Sequence, residues 1–310
     1  MTKPNVRTPP KGRRVGSSTK RRPATQRLAG TAEHRSWWRG PWALVGLVAA
    51  VIAVVVGFVA FGGSSSSSPG TTTSINQPVP ATVLAAVTNP SPQALLAAGD
   101  GHISNPLHPL PAGPMQTGKD GKPLLFYVGA DFCPYCAAQR WSLMVALSRF
   151  GTLTDVHLMT SSSTDVFPDT ATFTFAGSGY SSPYLDFQAV ETETRDQQPL
   201  QTPDATQRQI FETYDVPPYV TVAGGIPFLD FGNQMVVVSS GFSPGLLKGL
   251  SWEQIAAQLG EPASPLAQGV LGNANWLTAG ICRITGDQPA SVCTAAPIAS
   301  LGGQLPRPTP

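Results

Sequence analysis

Cys133-Pro134-Tyr135-Cys136 constrains this chain more than any other stretch of it. Two thiols three positions apart follow an apolar run at residues 123–129 and precede a helix-like stretch at 137–150. A redox dithiol needs that setting, a buried strand leading through a tight loop into a helix N-terminus. A thiolate at Cys133 meets the free N–H groups of the first helical turn and the positive end of the helix dipole, which lower its pKa below that of a free cysteine. Cys136, one turn inward, is then the resolving thiol. The pair points to thiol–disulfide exchange, with no cofactor beyond the two sulfurs.

Charge divides the chain. Its 310 residues carry 20 Lys+Arg and 18 Asp+Glu, yet residues 1–40 hold 11 of the basic side chains and a single acid, Glu33. Residues 41–310 keep nine basic and 17 acidic ones. Between the two blocks, residues 41–61 are 21 positions without a charge, rich in Val, Ala, Leu and Ile. At about 1.5 Å per residue the segment crosses roughly 30 Å of hydrocarbon, so a single transmembrane helix is expected. Trp37, Trp38 and Trp42 sit at its N-terminal end, where indole rings suit the headgroup level. The basic arm orients the N-terminus towards the cytoplasm, giving a single-pass plasma-membrane protein whose remainder is extracytoplasmic. A cleaved signal peptide is the competing reading, with small residues around Ala60-Phe61-Gly62. The arm is Pro-rich and short of apolar residues, so it is expected to be disordered and to attract anionic lipid. Without interleaved aromatics it is not expected to bind nucleic acid.

A Ser/Gly/Thr/Pro spacer at 62–80 follows, then a folded domain at 81–261 and a C-terminal helix and tail at 262–310. Residues 79–96 read as a short helical lead-in and residues 97–121 as loop; His102 and His108 there are expected at the surface rather than on a metal. Residues 124–128 are continuously apolar, the mark of a central strand buried on both faces. Trp141, Met144, Val145 and Leu147 then recur at helical spacing as a core stripe, and Arg140, one turn beyond Cys136, is expected to be a solvated helix charge, support of a thiolate being the alternative. Residues 156–159 read as the next strand, with His157 packed or at an edge. Residues 170–175 alternate with period two, a Gly-rich break follows, and 185–194 continue strand-like. Residues 205–214 suit a helix. Residues 227–231, the turn Gly232-Asn233 and residues 234–238 form a hairpin pattern, and Ser251-Trp252-Glu253-Gln254 opens a helix with a capping box. A last helix is expected over 265–284.

This order of elements, with Cys133-Pro134-Tyr135-Cys136 after the first strand and Gly225-Ile226-Pro227-Phe228 before the final hairpin, resembles the thioredoxin superfamily. Over roughly residues 95–300 it resembles the thioredoxin-like family called domain of unknown function 929. The resemblance implies an α/β thioredoxin-like fold; the extra length at about 160–204 alternates like strands and so reads as a β-rich insertion that extends the sheet, caps the dithiol or simply packs on the domain. It implies that the Ile226-Pro227 bond is cis and packs against the dithiol, and that the backbone beside it pairs with the substrate chain; Pro217-Pro218 is the rival position. Cys133 and Cys136 are then catalytic, Ile226 and Pro227 position the substrate, and the partners are extracytoplasmic cysteine-containing proteins and a membrane redox partner. Thioredoxins keep a buried acid six residues before the first cysteine, where this chain has Tyr127, so oxidase and isomerase roles stay open. From another class, a thioredoxin-fold binding or assembly module whose disulfides are only structural is the alternative.

Cys282 and Cys293 are separated by ten residues that include Gly286, Asp287, Gln288 and Pro289, enough turn formers to return one sulfur to the other. A structural disulfide is expected. A relay pair serving the first dithiol and a zinc site built from all four cysteines are the alternatives; no metal is expected.

Overall fold

The structure, a computed structural model, describes residues 75–306. The expected basic arm, membrane span and most of the spacer lie outside the described residues. Among the described residues no helix is long and apolar enough to cross a membrane. The architecture is mixed α/β.

Residues 75–79, read from the sequence as the end of the spacer, are hydrogen-bonded along a strand edge: Asn76 N–H donates to Leu158 O at 2.7 Å and Leu158 N–H to Gln77 O at 2.8 Å. The lead-in is two helices rather than one, α1 (Ala81–Thr88) and α2 (Pro92–Ala98). Pro90 disfavours helical backbone at Asn89, and the Ser91 hydroxyl restarts the helix by accepting the Ala94 N–H at 3.0 Å. The stretch expected as loop contains a short strand, β1 (His108–Pro109).

Next come β2 (Leu124–Gly129), α3 (Pro134–Ser148), β3 (Thr152–Thr154), β4 (His157–Thr160), β5 (Ala171–Thr174), β6 (Gly179–Ser181) and β7 (Asp186–Glu191). Then follow α4 (Ala205–Tyr214), β8 (Phe228–Phe231), β9 (Met235–Val238), α5 (Trp252–Leu259), α6 (Pro265–Ile284), α7 (Ala290–Cys293) and α8 (Ile298–Gly302). The main sheet has the order β1-β9-β8-β2-β7. Its central strand β2 runs parallel to β7, from Leu124 opposite Asp186 to Gly129 opposite Glu191, and antiparallel to β8. The aromatic section around 160–204 therefore divides: β7 belongs to the main sheet, whereas β4–β5 and β3–β6 are two-stranded sheets of their own.

The continuous apolar run in β2 is explained by burial on both faces. Leu125 and Tyr127 join the core formed with α3, α5 and α6, while Leu124, Phe126 and Val128 pack on the other side with Ile210 of α4, Phe228 and Val236. At the β8–β9 hairpin Gly232 and Asn233 both have positive φ, +61° and +58°, which these two residue types tolerate best. Helix α5 begins with the expected capping box: Ser251 N–H donates to Gln254 Oε1 at 2.8 Å, and Gln254 N–H to Ser251 Oγ at 3.3 Å. Helix α3 packs along α6, tied to it by Ser142 Oγ–H donating to Val270 O at 2.8 Å and by Asn273 Nδ2–H donating to Gln139 Oε1 at 2.8 Å.

Candidate functional site

Cys133 is the N-cap of α3, with extended backbone, and Pro134 takes the first helical position, where a missing N–H removes a donor that no carbonyl in the helix would meet. The cap acceptor is sulfur: Cys136 N–H donates to Cys133 Sγ at 3.2 Å. Both thiols are free and both are buried, Cys133 at 5 % exposure and Cys136 at 0 %. Their titration is pushed apart. Hydrogen bonding from the Cys136 thiol, opposed by burial and aided by the N–H groups of Cys136 and Tyr135 and by the Arg140 charge, holds Cys133 below the usual thiol value. Burial, then the hydrogen bond and charge of Cys133, pushes Cys136 well above it.

Sheet register brings the second half of the site to the first. Phe228 lies opposite Val128 near the end of β2, so the chain two residues before Phe228 faces the loop that leads to Cys133. Cys133 Sγ lies 3.8 Å from Ile226 O, and the Ile226-Pro227 bond is cis. Pro217-Pro218, the rival position, is cis as well. Next to this loop sits Asp215, whose backbone carbonyl accepts the Gly224 N–H at 3.2 Å. Its carboxylate is buried with neither oxygen in a hydrogen bond of good geometry, and burial pushes it up to about 7, the nearby N–H groups of Gly225 and Gly224 pulling the other way. The rim is partly apolar: Tyr135 is 38 % exposed and meets Phe167 edge-on at 6.0 Å, and the Phe167 loop is tied to the dithiol loop by Ser162 N–H donating to Phe132 O at 2.9 Å.

Beneath the dithiol, Arg140 corrects the expectation of a solvated charge, for its side chain is fully buried. Helix α3 is covered on nearly every side, so no face is left on which a charge could reach water. Arg140 Nε donates to Glu191 Oε1 at 2.9 Å, and Nη2 to Glu191 Oε2 at 2.6 Å and to Ala130 O at 2.8 Å. Asp131 Oδ1 lies 3.7 Å from the same Nη2. Burial alone would lower the guanidinium pKa, but Glu191, Tyr127 and Asp131 together hold it well above its ordinary value. Burial likewise pushes Glu191 and Asp131 up while Arg140 pulls both back. A buried pair of this geometry is unforgiving: removing one partner strands the other, typically at about 3–5 kcal/mol. Sequence reading missed Glu191 altogether. The available signal was Arg140 itself, the one charge in a 15-residue helix, which a buried partner would explain.

Cys282 and Cys293 are disulfide-bonded, with Cα atoms 5.6 Å apart, across a turn in which Gly286 and Asp287 have positive φ. Joined to each other they offer no thiolates to a four-cysteine zinc site. His102 and His108 are exposed, and among the described residues no three His, Cys, Asp or Glu side chains gather closely enough to hold a metal ion.

A family model described as Domain of unknown function (DUF929) matches residues 109–283, more than half of the chain. The chain belongs to this DUF929 family. The DUF929 match spans the dithiol, Ile226-Pro227, Arg140 with Glu191, and Cys282, and stops short of Cys293. Neither the curated proteins nor the solved structures contain a match to this DUF929 chain.

Proposed function

We propose that this DUF929 protein is a thiol–disulfide oxidoreductase of thioredoxin-like fold, anchored in the plasma membrane by residues 41–61 and acting on cysteine-containing proteins outside the cytoplasm. The observation that carries the reading is the cap of α3: a sulfur with lowered pKa accepts a helix N–H while a second, buried thiol waits one turn behind it. The sheet supports the fold assignment, since a central strand flanked by one parallel strand and an antiparallel hairpin leads into the dithiol, with Ile226 O beside Cys133.

In this reading the Cys133 thiolate attacks one sulfur of a client disulfide. A Cys133–client bond forms, the client S–S bond breaks, and the departing client thiolate takes a proton. Cys136, as thiolate, then attacks Cys133 Sγ; the Cys133–Cys136 bond forms and the second client thiolate leaves. The two protein sulfurs are oxidised and the two client sulfurs reduced. The same steps run backwards when the protein oxidises its client, the direction being set by the potential of the dithiol against client and membrane redox partner.

The alternative, a binding or assembly module with an inert Cys133–Cys136 bond, draws on the depth at which both sulfurs lie. Alkylation of the reduced full chain separates the two. Cys133 is expected to react with iodoacetamide at mildly acidic pH, with Cys136 protected, and Cys133→Ser to abolish turnover of a disulfide substrate. A Cys133 that titrates like an ordinary cysteine and leaves disulfides untouched would leave the module reading standing.

A further inference from the structure

Behind Cys136 the fold keeps two buried donors with nothing to bond, Nη1 of Arg140 and the hydroxyl of Tyr127. Arg140 follows Cys136 by one helical turn and so shares its face of α3. Glu191 and Ala130 O occupy Nε and Nη2, which fixes the guanidinium plane and leaves Nη1 unspent. The Tyr127 hydroxyl lies over Gly129, where a Cβ would overlap it, and Gly129 is the register partner of Glu191. Helix, central strand and β7 thus bring a cation, a phenol and the clamp that holds the cation to one place beneath the dithiol. Arg140 and Tyr127 each interact electrostatically with both sulfurs. Folded proteins seldom leave buried donors unpaired, and a pair of them beside a buried thiol is complementary to a sulfur anion.

We propose that Arg140, clamped by Glu191, and Tyr127 are positioning residues that stabilise the Cys136 thiolate, the species that resolves the mixed disulfide on Cys133. This rests on the exchange reading above. In the step concerned Cys136 S–H gives up its proton, the sulfur attacks Cys133 Sγ, the Cys133–Cys136 bond forms as the Cys133–client bond breaks, and the client thiolate departs to take up a proton. The groups facing Cys136 are Cys133 and Arg140 from α3, Tyr127 from β2 and Glu191 from β7, with Asp131 on the far side of Arg140. Burial, Cys133 and Glu191 all disfavour the anion; Arg140 is the charge that favours it.

The test follows the two equivalents of thionitrobenzoate that the reduced full chain releases from dithiobisnitrobenzoate in detergent, the first reporting attack by Cys133 and the second attack by Cys136 on the mixed disulfide. In Tyr127→Phe, which removes one oxygen, and in Arg140→Lys, which keeps a charge without the fork, the second phase is expected to slow about tenfold at neutral pH and its pH midpoint to rise by about one unit. The first phase should change less, and Arg140→Lys should retain more activity than Arg140→Met. Near-ultraviolet circular dichroism checks folding; should the arginine variants not fold, Tyr127→Phe decides. A folded variant whose second phase keeps the wild-type pH profile overturns the proposal. A wild-type chain that releases no first equivalent overturns the exchange reading itself, a distinguishable failure.

Discussion

Asp230 shows how one side chain sets a pH dependence for the whole fold. It sits on β8 with 0 % exposure; Oδ1 accepts the Asn233 N–H at 2.9 Å, and Oδ2 has no partner. Burial, against the pull of the Asn233 and Gly232 N–H groups, pushes its pKa from 3.8 to about 7. The native state therefore keeps this proton across a window in which the unfolded chain has released it, and stability falls as pH rises from the lower value to the upper. Asp230→Asn should remove this carboxyl's share of that fall, leaving the share that Asp215 contributes over the same window. Chemical denaturation at about pH 8 should find the variant more stable, by an amount bounded on the order of 4 kcal/mol, and at about pH 3 should find the two alike. The same scale separates what was legible in the site from what was not. Cys133 and Cys136 stand out because a dithiol at a strand–helix junction is visible in linear order. Glu191 does not, because its meaning comes from Arg140, 51 positions away, and from a parallel register that no local pattern specifies.

Elements were legible where one local rule dominated. Capping at Ser251, positive φ at Gly232 and Asn233, and the apolar run of β2 each gave an element at its expected place. The partnership of β7 with β2 was not legible, since alternation marks a strand without naming its neighbour. Close approaches of backbone are equally silent. On α6, Gly272 faces Gly101, and a Cβ there would overlap the Gly101 backbone; Asn275 Nδ2 locks the same contact by donating to Leu95 O and Gly99 O, each at 2.9 Å. Ala is the better helix former by about 1 kcal/mol, so propensity alone makes Gly272→Ala stabilising. The contact reverses the sign: backbone cannot swing aside as a flexible side chain can, and a net loss of about 1–3 kcal/mol is expected in denaturant titrations.

At the scale of the whole molecule, the Cys282–Cys293 bond fastens α7 to the last turn of α6 and so the tail to the core. Closing a loop of sequence separation 11 is worth roughly 2–3 kcal/mol through the unfolded chain. The double variant Cys282→Ser with Cys293→Ser should lower the melting temperature accordingly while leaving thiol release at Cys133 and Cys136 unchanged; altered release would favour the relay alternative instead. What the sequence by itself determined is everything written at short range: the dithiol at a helix start, the buried central strand, the hairpin before the C-terminal helices, the turn that lets the last two cysteines meet. Tertiary structure alone decided that β7 flanks β2 and that Arg140 is sealed against Glu191 rather than solvated. Local patterns record backbone propensity and burial, whereas which distant groups share a desolvated volume is settled only when the layers close and water is excluded between them.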